Sequence, residues 1–456
     1  MQIILMASTT RKVAEGTMIF FTRKIWISLF SGISTIIIIR ALGVYHYGIL
    51  TLALSIVGIL APFLDFDLGT IISVDMANEL GKNNLSRVKR YIKDYAKLEI
   101  ILGLVFCLVL VLFIGYINDK YGNEISSVVK ITIILLFIQA IKNILATVFY
   151  GFSNFRYFTL IDVIESLVKF VLVLIIFFFS QFNLIKVSLI ILISSIIPLF
   201  VTIPLFLKFI KPLRAVAISP EPLLKETIFK HGKFHIINQP IKTALESFRL
   251  WIIKFFVGVE GVAIFQVANK IFGYLNILFG SVEGVLMPIL SQAISQNIQL
   301  AREMVKKSIK YLTYLGIIIM IGSFVLIGPL LNFFFENKYN DSLPVLYWLF
   351  VTFPMAGFNV IVRPLFYSFK GQKYLLNTYL IATLLIGYPL GVVLTYFYGV
   401  IGFAFPVGAY LTVFLRYYYI KKLDAEFYFK VRDFFRFDNY DKLLINKVLK
   451  KLKLIK

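Results

Sequence analysis

The chain has one cysteine in 456 residues, Cys107, so a disulfide within the chain and a cysteine-built zinc cluster are both excluded. Histidine is nearly as scarce, at three residues. His231 and His235 stand four apart at a helix entrance, but the stretch HGKFH lacks the glutamate of a metalloprotease helix and no third ligand is nearby. His46 falls in a turn. Acidic residues number 24 against 47 Lys and Arg, leaving a formal net charge of +23. That excess does not mark a nucleic-acid binder, because the basic residues are scattered over short loops and no basic soluble domain gathers them. There is no glycine-rich nucleotide loop. No connection is large enough for the long external loop on which a membrane glycan polymerase or ligase places its reactive groups.

What fills the chain instead is apolar: 59% of the residues are hydrophobic, 16% are charged, and the mean hydropathy is +0.86. This is the composition of an integral membrane protein. About twelve runs have the length of a spanning helix: 17–39, 48–72, 96–116, 128–150, 158–179, 184–207, 234–257, 262–289, 311–335, 343–368, 374–396 and 398–420. The first is too long for a cleavable signal and has no small-residue cleavage site, so it reads as a retained span. Lys and Arg cluster in every second connection, as at Lys82, Arg87, Lys89, Arg90 and Lys93, or Arg302, Lys306, Lys307 and Lys310. The intervening connections are short and offer chiefly Arg40, Lys120, Lys186 and Lys338. By the positive-inside rule both termini are expected in the cytoplasm, with the protein in the cytoplasmic membrane. The tail ends INKVLKKLKLIK, which puts Ile445, Val448, Leu449 and Leu452 on one helical face and suits the inner membrane surface.

Shifting the chain by 215 positions (258 − 43) lays Gly43-Val44 on Gly258-Val259, Ala53 on Ala268, Gly69 on Gly284 and Arg87 on Arg302 without a gap. Six spans in each half, in the same orientation, make a parallel repeat about an axis along the membrane normal. The expected organisation is an N-terminal lobe 1–210, a linker 211–231, a C-terminal lobe 232–420 and a basic tail 421–456.

Several spans carry polar stripes. Asn238, Lys242, Glu246 and Arg249 lie on one face of the seventh span; Gln266, Asn269, Lys270 and Glu283 share a face of the eighth. Gln139, Lys142 and Asn143 do so in the fourth, Asp162, Glu165 and Lys169 in the fifth, and Asn359 with Arg363 in the tenth; Arg23 and Lys24 stand in the first. An ionisable group at the bilayer centre costs roughly 2.5 to 3.5 kcal/mol on insertion scales. Two readings stay open: internal pairing, such as Lys169 with Glu165 and Lys242 with Glu246, or a cavity lined by charge.

Arg40-Ala-Leu-Gly43, then Tyr47-Gly48, an apolar helix, Asp67-Leu-Gly69 and a basic loop form a pattern that resembles polysaccharide biosynthesis proteins of the Wzx type. These belong to the multidrug/oligosaccharidyl-lipid/polysaccharide (MOP) flippase superfamily. The recognisable pattern covers about 60 residues; length, span count and duplication agree across the chain. The resemblance implies an all-α, MATE-like membrane fold, two six-helix bundles in a V, and transport of a lipid-linked oligosaccharide rather than an enzymatic reaction. Arg23, in Phe-Thr-Arg, looks like the first-helix arginine of related lipid flippases, although Lys24 follows it here. The implied site is a cationic cavity of Arg23, Lys24, Lys142, Lys242, Arg249, Lys270 and Arg363, with Asp65, Asp67, Asp162, Glu165 and Glu283 as candidates for gating or for coupling to Na+ or H+. No cofactor is expected; the expected partners are the lipid-linked oligosaccharide, membrane lipids and other polysaccharide-assembly proteins, with no nucleic acid. The rivals are a cation-coupled multidrug exporter of the same superfamily, which would want carboxylates and aromatics in its cavity, and the polymerase or ligase.

Overall fold

The computed structural model describes residues 2–423, 427 and 429, apart from 67, 153, 225–232, 297 and 370; side chains are described from residue 22 onward, apart from 155, 233–239, 281, 283–289, 291–292, 295–296, 300 and 372. Asp67, His231, the side chains of Glu283 and His235, and nearly all of the basic tail therefore lie outside the described residues.

Every regular element among the described residues is helical. In chain order they are α1 (Gln2–Leu60), α2 (Pro62–Asp65), α3 (Leu68–Gly81), α4 (Leu85–Tyr121), α5 (Asn123–Thr132), α6 (Ile134–Gly151), α7 (Phe155–Phe179), α8 (Leu184–Phe209), a 3-10 turn (Lys211–Ala215), α9 (Lys233–Val257), α10 (Val259–Gln296), α11 (Ile298–Phe335), α12 (Ser342–Phe350), α13 (Phe353–Ser368), α14 (Gln372–Thr378), a π-helical stretch (Tyr379–Gly387), α15 (Tyr388–Tyr398), a second 3-10 turn (Gly399–Ala404) and α16 (Val407–Leu423). Local sequence accounts for many of the boundaries. Asn84, Asn154 and Asn183 cap α4, α7 and α8 by accepting a backbone N–H three residues on. Pro62 opens α2, and Phe66 closes it in the left-handed region. The expected second span, 48–72, is thus interrupted just where Asp65 sits. α1 is itself two helices joined at Gly43, whose φ of 71° and ψ of 178° are open to glycine alone at low cost.

By length and composition seven helices of the described residues suffice to cross a membrane, or eight if Ser342–Phe350 and Phe353–Ser368 form one broken span. The first of the seven, Thr22–Gly81, contains two of the expected spans. Among the others, α7 and α9 are 25 residues each, about 37 Å of helix and ample for a bilayer core of about 30 Å. What keeps them out of the apolar class is their charge, Asp162, Glu165 and Lys169 in one and Lys242, Glu246, Arg249 and Lys254 in the other. The two helices too polar to pass as simple spans both carry stripes, whereas the striped Asn123–Gly151 and Val259–Gly280 still pass.

The repeat has a backbone counterpart. Gly43 and Gly258 both have positive φ, 71° and 97°, and so do Gly122 and Asn337, 89° and 64°. Both pairs stand 215 apart (258 − 43 and 337 − 122), as do, to within a residue or two, the ends of α4 and α11. The same left-handed breaks therefore recur at equivalent points of the two halves.

The chain forms two compact units. One comprises Met1–Ile277, Leu326–Leu349 and Tyr388–Phe405; the other, Leu278–Val325, Phe350–Gly387 and Pro406–Lys456. In the first, one core joins α3, α4 and α6 through Leu68, Ile72, Met76, Val88, Tyr95 and Val148. Helices come close there at glycines: Gly103 of α4 against Ala140 of α6, and Gly151 against the Ser73 carbonyl of α3. At Gly48 a Cβ would fall on the Val259 carbonyl of α10, a backbone atom that cannot swing aside. The second unit stacks Phe279, Phe350 and Phe353 and seats Gly357 of α13 on the backbone of α11 at Leu312; its Arg416 donates to Asn359 Oδ1 at 2.9 Å.

Gly48→Val should therefore lower stability by about 1 to 3 kcal/mol, the cost of overpacking a close contact. Gly115→Ala, where nothing lies within 4 Å, should be neutral or slightly stabilising. Thermal unfolding of the two purified variants checks this, and equal midpoints would count against the close approach at Gly48.

Candidate functional site: two polar cavities of opposite balance

The stripes of the first unit open onto two cavities. The first, about 430 Å3, lies among α1, α6, α7 and α8 and is lined by Arg23, Gln139, Lys142, Asn143, Phe158, Asp162, Glu165 and Ser195, with apolar neighbours. Its charges are matched. Arg23 forms an ion pair with Asp162 and lays its guanidinium over the Phe158 ring, 4.8 Å from the centroid. Lys142 Nζ donates to Glu165 Oε2 at 2.6 Å, and Ser195 Oγ donates to Glu165 Oε1 at 2.6 Å. Asp162 and Glu165 are three apart on α7 and so share the face that turns to α1 and α6. Two cations meet two carboxylates.

The second cavity, about 330 Å3, is formed by α1, α7, α9 and α10. Lys169, Arg249 and Lys270 line it with a single carboxylate, Glu246, among Thr35, Tyr47, Thr51, Ser55, Thr243, Gln266 and Asn269. Lys169 and Lys270 lie close enough to feel each other's charge. Arg249 rests its guanidinium over Phe265, 4.9 Å from the centroid, with Phe403 at 6.0 Å, and its Nε has no hydrogen-bond acceptor. Among the described residues no carboxylate comes within 4.0 Å of Lys169, Arg249 or Lys270, so none of the three forms an ion pair. The hydroxyl wall is ordered: Trp251 Nε1 donates to Ser55 Oγ at 2.8 Å, and Ser55 donates in turn to the Leu52 carbonyl at 2.6 Å. Chemically this is an anion-receptive pocket with an excess of two positive charges and a fringe of hydroxyls and amides.

Of the residues expected to form one cationic site, the structure brings Arg249 and Lys270 together in the second cavity, and Arg23 and Lys142 in the first with acidic partners. Lys24, next to Arg23, is exposed and lines neither cavity; Lys242, one turn before Glu246, is likewise exposed and lines neither. Arg363 is an exposed residue of α13 in the other unit. Asp162 and Glu165 are the acids of the first cavity. Asp65 instead accepts from Tyr95 OH at 2.5 Å and from the Gly69 N–H at 2.7 Å.

Sequence reasoning left open whether Lys169 pairs with Glu165 on its own helix and did not include it in the cationic set. Glu165 is taken by Lys142 and Ser195 from neighbouring helices, and Lys169 turns to the second cavity. Glu99 was missed altogether; the available signal was a lone glutamate inside an apolar run, four residues after Tyr95. Arg40, whose role the sequence left open, forms an exposed ion pair with Glu336, beside a hydrogen bond from Tyr339 OH to the Ile39 carbonyl at 3.4 Å. The repeat-related contact is Lys254 over the Tyr121 ring, 4.3 Å from its centroid, with Trp251 against the same ring.

The contrast between the cavities is measurable in stability. Lys142→Ala strands Glu165 and should cost about 3 kcal/mol, the lower end for a broken buried pair because the Glu165 side chain stays 30% exposed. The double replacement Lys142→Ala with Glu165→Ala should recover much of that loss. Lys270→Ala removes a charge that forms no ion pair and should leave stability unchanged or raised. Unfolding midpoints of the four proteins test the assignment, and a larger loss for Lys270→Ala than for Lys142→Ala would reverse it.

Comparison with known proteins agrees with this geometry. The chain has the fold of solved MOP transporters: an inward-facing multidrug resistance MATE family transporter (TM-score 0.73, 16% identity, 88% of this chain and 95% of that one), a MOP superfamily transporter from Pyrococcus furiosus Vc1 described by the reverse polarity of its binding pocket (0.64, 16%, 91% and 95%), and the lipid II flippase MurJ in an inward closed conformation (0.69, 14%, 93% and 89%). No curated protein sequence matches. Residues 13–294, more than half of the chain and including both cavity-lining stripes of α7 and α9, match the family model described as polysaccharide biosynthesis protein. With its membrane-spanning helices, its repeat and its polar cavities, the chain belongs to the polysaccharide biosynthesis protein family.

Proposed function

We propose that this protein translocates a polyprenyl-diphosphate-linked oligosaccharide across the cytoplasmic membrane by alternating access, for the assembly of a surface polysaccharide or glycan. The observation that carries the proposal is the second cavity, where Lys169, Arg249 and Lys270 outnumber Glu246 and, among the described residues, form no ion pair. A diphosphate is a compact, multiply charged anion, and charge-assisted hydrogen bonds from lysine and arginine are the strong means of holding one. The hydroxyl and amide groups of Thr51, Ser55, Gln266 and Asn269 supply the donors and acceptors a sugar needs. The lipid tail stays in the bilayer, so the cavity has only the polar headgroup to receive. Membership of a polysaccharide biosynthesis family and a fold shared with a lipid II flippase support the same substrate class. Both termini are read as cytoplasmic from the alternation of basic loops, and other polysaccharide-assembly proteins are the natural suppliers and consumers of the substrate.

A cation-coupled multidrug exporter is the reading favoured by the multidrug transporters among the structural neighbours. An excess of positive charge repels the lipophilic cations such exporters carry, and this cavity has that excess.

Single replacements Lys169→Gln, Arg249→Gln and Lys270→Gln should each lower translocation of a labelled polyprenyl-diphosphate oligosaccharide in proteoliposomes by about tenfold or more, the worth of roughly 1.4 kcal/mol or more of charged hydrogen bonding, with no loss of thermal stability. Unchanged translocation in all three would remove the cavity from the mechanism. Resistance to lipophilic cations conferred on a pump-deficient host would favour the exporter.

A further inference from the structure

The first cavity takes no part in the anion site, yet at about 430 Å3 against about 330 Å3 it is the larger of the two. Both cavities lie within the first unit, and Ile191 of α8 lines both of them. They also share α7. Glu165 borders the first cavity and Lys169, one turn later, borders the second, so the two side chains leave the helix roughly 6 Å apart. Neighbouring chambers on adjacent turns of one helix suit two parts of a single ligand.

The lining of the first cavity is balanced in charge and keeps hydrogen-bonding capacity. Arg23 pairs with Asp162 and Lys142 with Glu165, so its four ionic groups sum to zero. Glu165 accepts one bond on each oxygen, from Lys142 and from Ser195. A carboxylate has about four lone-pair sites, which leaves about two for a ligand. Gln139 is an exposed residue of α6 that lines the cavity; it gives one amide N–H to Asn143 Oδ1 at 2.8 Å and keeps the other, along with its carbonyl oxygen. Asn143 is fixed from behind, where its Nδ2 donates at 3.3 Å to the wholly buried Glu99 of α4. Val57, Ala61, Ile138 and Ile161 supply apolar wall between these groups. Carboxylates and amides beside apolar surface are what a pyranose needs, since its hydroxyls both donate and accept while its ring carbons present only C–H.

We propose that the first cavity is a sugar subsite, which takes the uncharged hexose next to the diphosphate while the diphosphate itself is held in the second cavity. The inference rests on the flippase reading and adds to it where the glycan sits and which kind of first sugar is accepted. A sugar esterified to a phosphate begins one oxygen away from it. With the phosphates against Lys169, Arg249 and Lys270, the hydroxyls of the second cavity meet the linkage, and the ring follows one turn along α7, past Ile191, to Glu165, Gln139 and Ser195. An acidic sugar fits this place poorly, because Asp162 and Glu165 repel it and the cations that could answer it are already paired. A metal ion would have to draw those carboxylates away from Arg23 and Lys142, whereas an uncharged polyol leaves both pairs intact.

Equilibrium binding of three lipids to the full chain in nanodiscs tests this: polyprenyl diphosphate alone, its glucosyl ester and its glucuronosyl ester. The native chain should bind the glucosyl lipid about tenfold or more tighter than the bare diphosphate, the worth of one or two net hydrogen bonds, and the glucuronosyl lipid no tighter than the bare one. The ratio of glucosyl to bare affinity should fall towards one in Gln139→Leu and in Ser195→Ala; if one of these does not fold, the other carries the reading. Lys270→Gln should weaken both the glucosyl and the bare lipid and keep their ratio, which separates the two subsites. Equal binding of glucosyl and bare lipids by the native chain, a ratio that survives in every folded first-cavity variant, or a glucuronosyl lipid bound as tightly as the glucosyl one overturns the sugar subsite while leaving the flippase reading in place. Binding of none of the three lipids overturns both.

Discussion

An ionisable side chain in the interior of a bilayer has to be answered by something, because water is not there to answer it, and each unanswered charge costs several times the thermal energy. The first unit of this protein answers its charges in three ways within a few helices. Arg23 and Lys142 are matched by Asp162 and Glu165. Lys169, Arg249 and Lys270 share one cavity with a single acid and, among the described residues, no ion pair. Asp65 and Glu99 accept from neutral donors, Asp65 from the Tyr95 hydroxyl and the Gly69 N–H, Glu99 from the Asn143 amide. The first arrangement is self-sufficient, the second keeps an excess of positive charge, and the third holds its acids by neutral donors.

This division gives α7 a central position. Its residues Asp162, Glu165 and Lys169 belong to one helical stripe, yet the first two serve the neutral cavity and the third the basic one. Ile191 of α8 lines both. The glycines have a complementary task. Gly43 and Gly258 bend the chain at repeat-related points, whereas Gly48 and Gly69 give up a side chain so that a carbonyl or a polar cluster can occupy its place. The Arg40–Glu336 pair, half exposed, adds little stability by itself, as surface ion pairs generally do. Its interest is topological, since Lys254 against Tyr121 repeats the same kind of contact between the equivalent segments of the opposite halves.

Class, helix content, the duplication and the polysaccharide biosynthesis family were all legible in the amino-acid sequence, because each rests on periodicity, composition or a short local pattern. Apolar runs of bilayer length need no tertiary information, and a shift of 215 residues can be found by sliding the chain on itself. The stripes were legible for the same reason: helical spacing alone puts Glu246 and Arg249, or Gln266 and Lys270, on one face. The break at Pro62 and the asparagine caps are also local.

Which stripe met which could not be read, because an i, i+4 pairing on one helix competes with partners on other helices that the sequence does not rank. Glu165 had Lys169 available in its own helix and is bonded instead by Lys142 and Ser195, from α6 and α8. That choice released Lys169 to the basic cavity and set the opposite charge balance of the two chambers. Glu99 gave no stripe at all, since its companions Asp65, Asn143 and Thr147 come from α2 and α6. The sequence determined that charges would be buried and on which helix faces; the packing of those helices decided which charges were neutralised at home and which, among the described residues, were left without an ion pair.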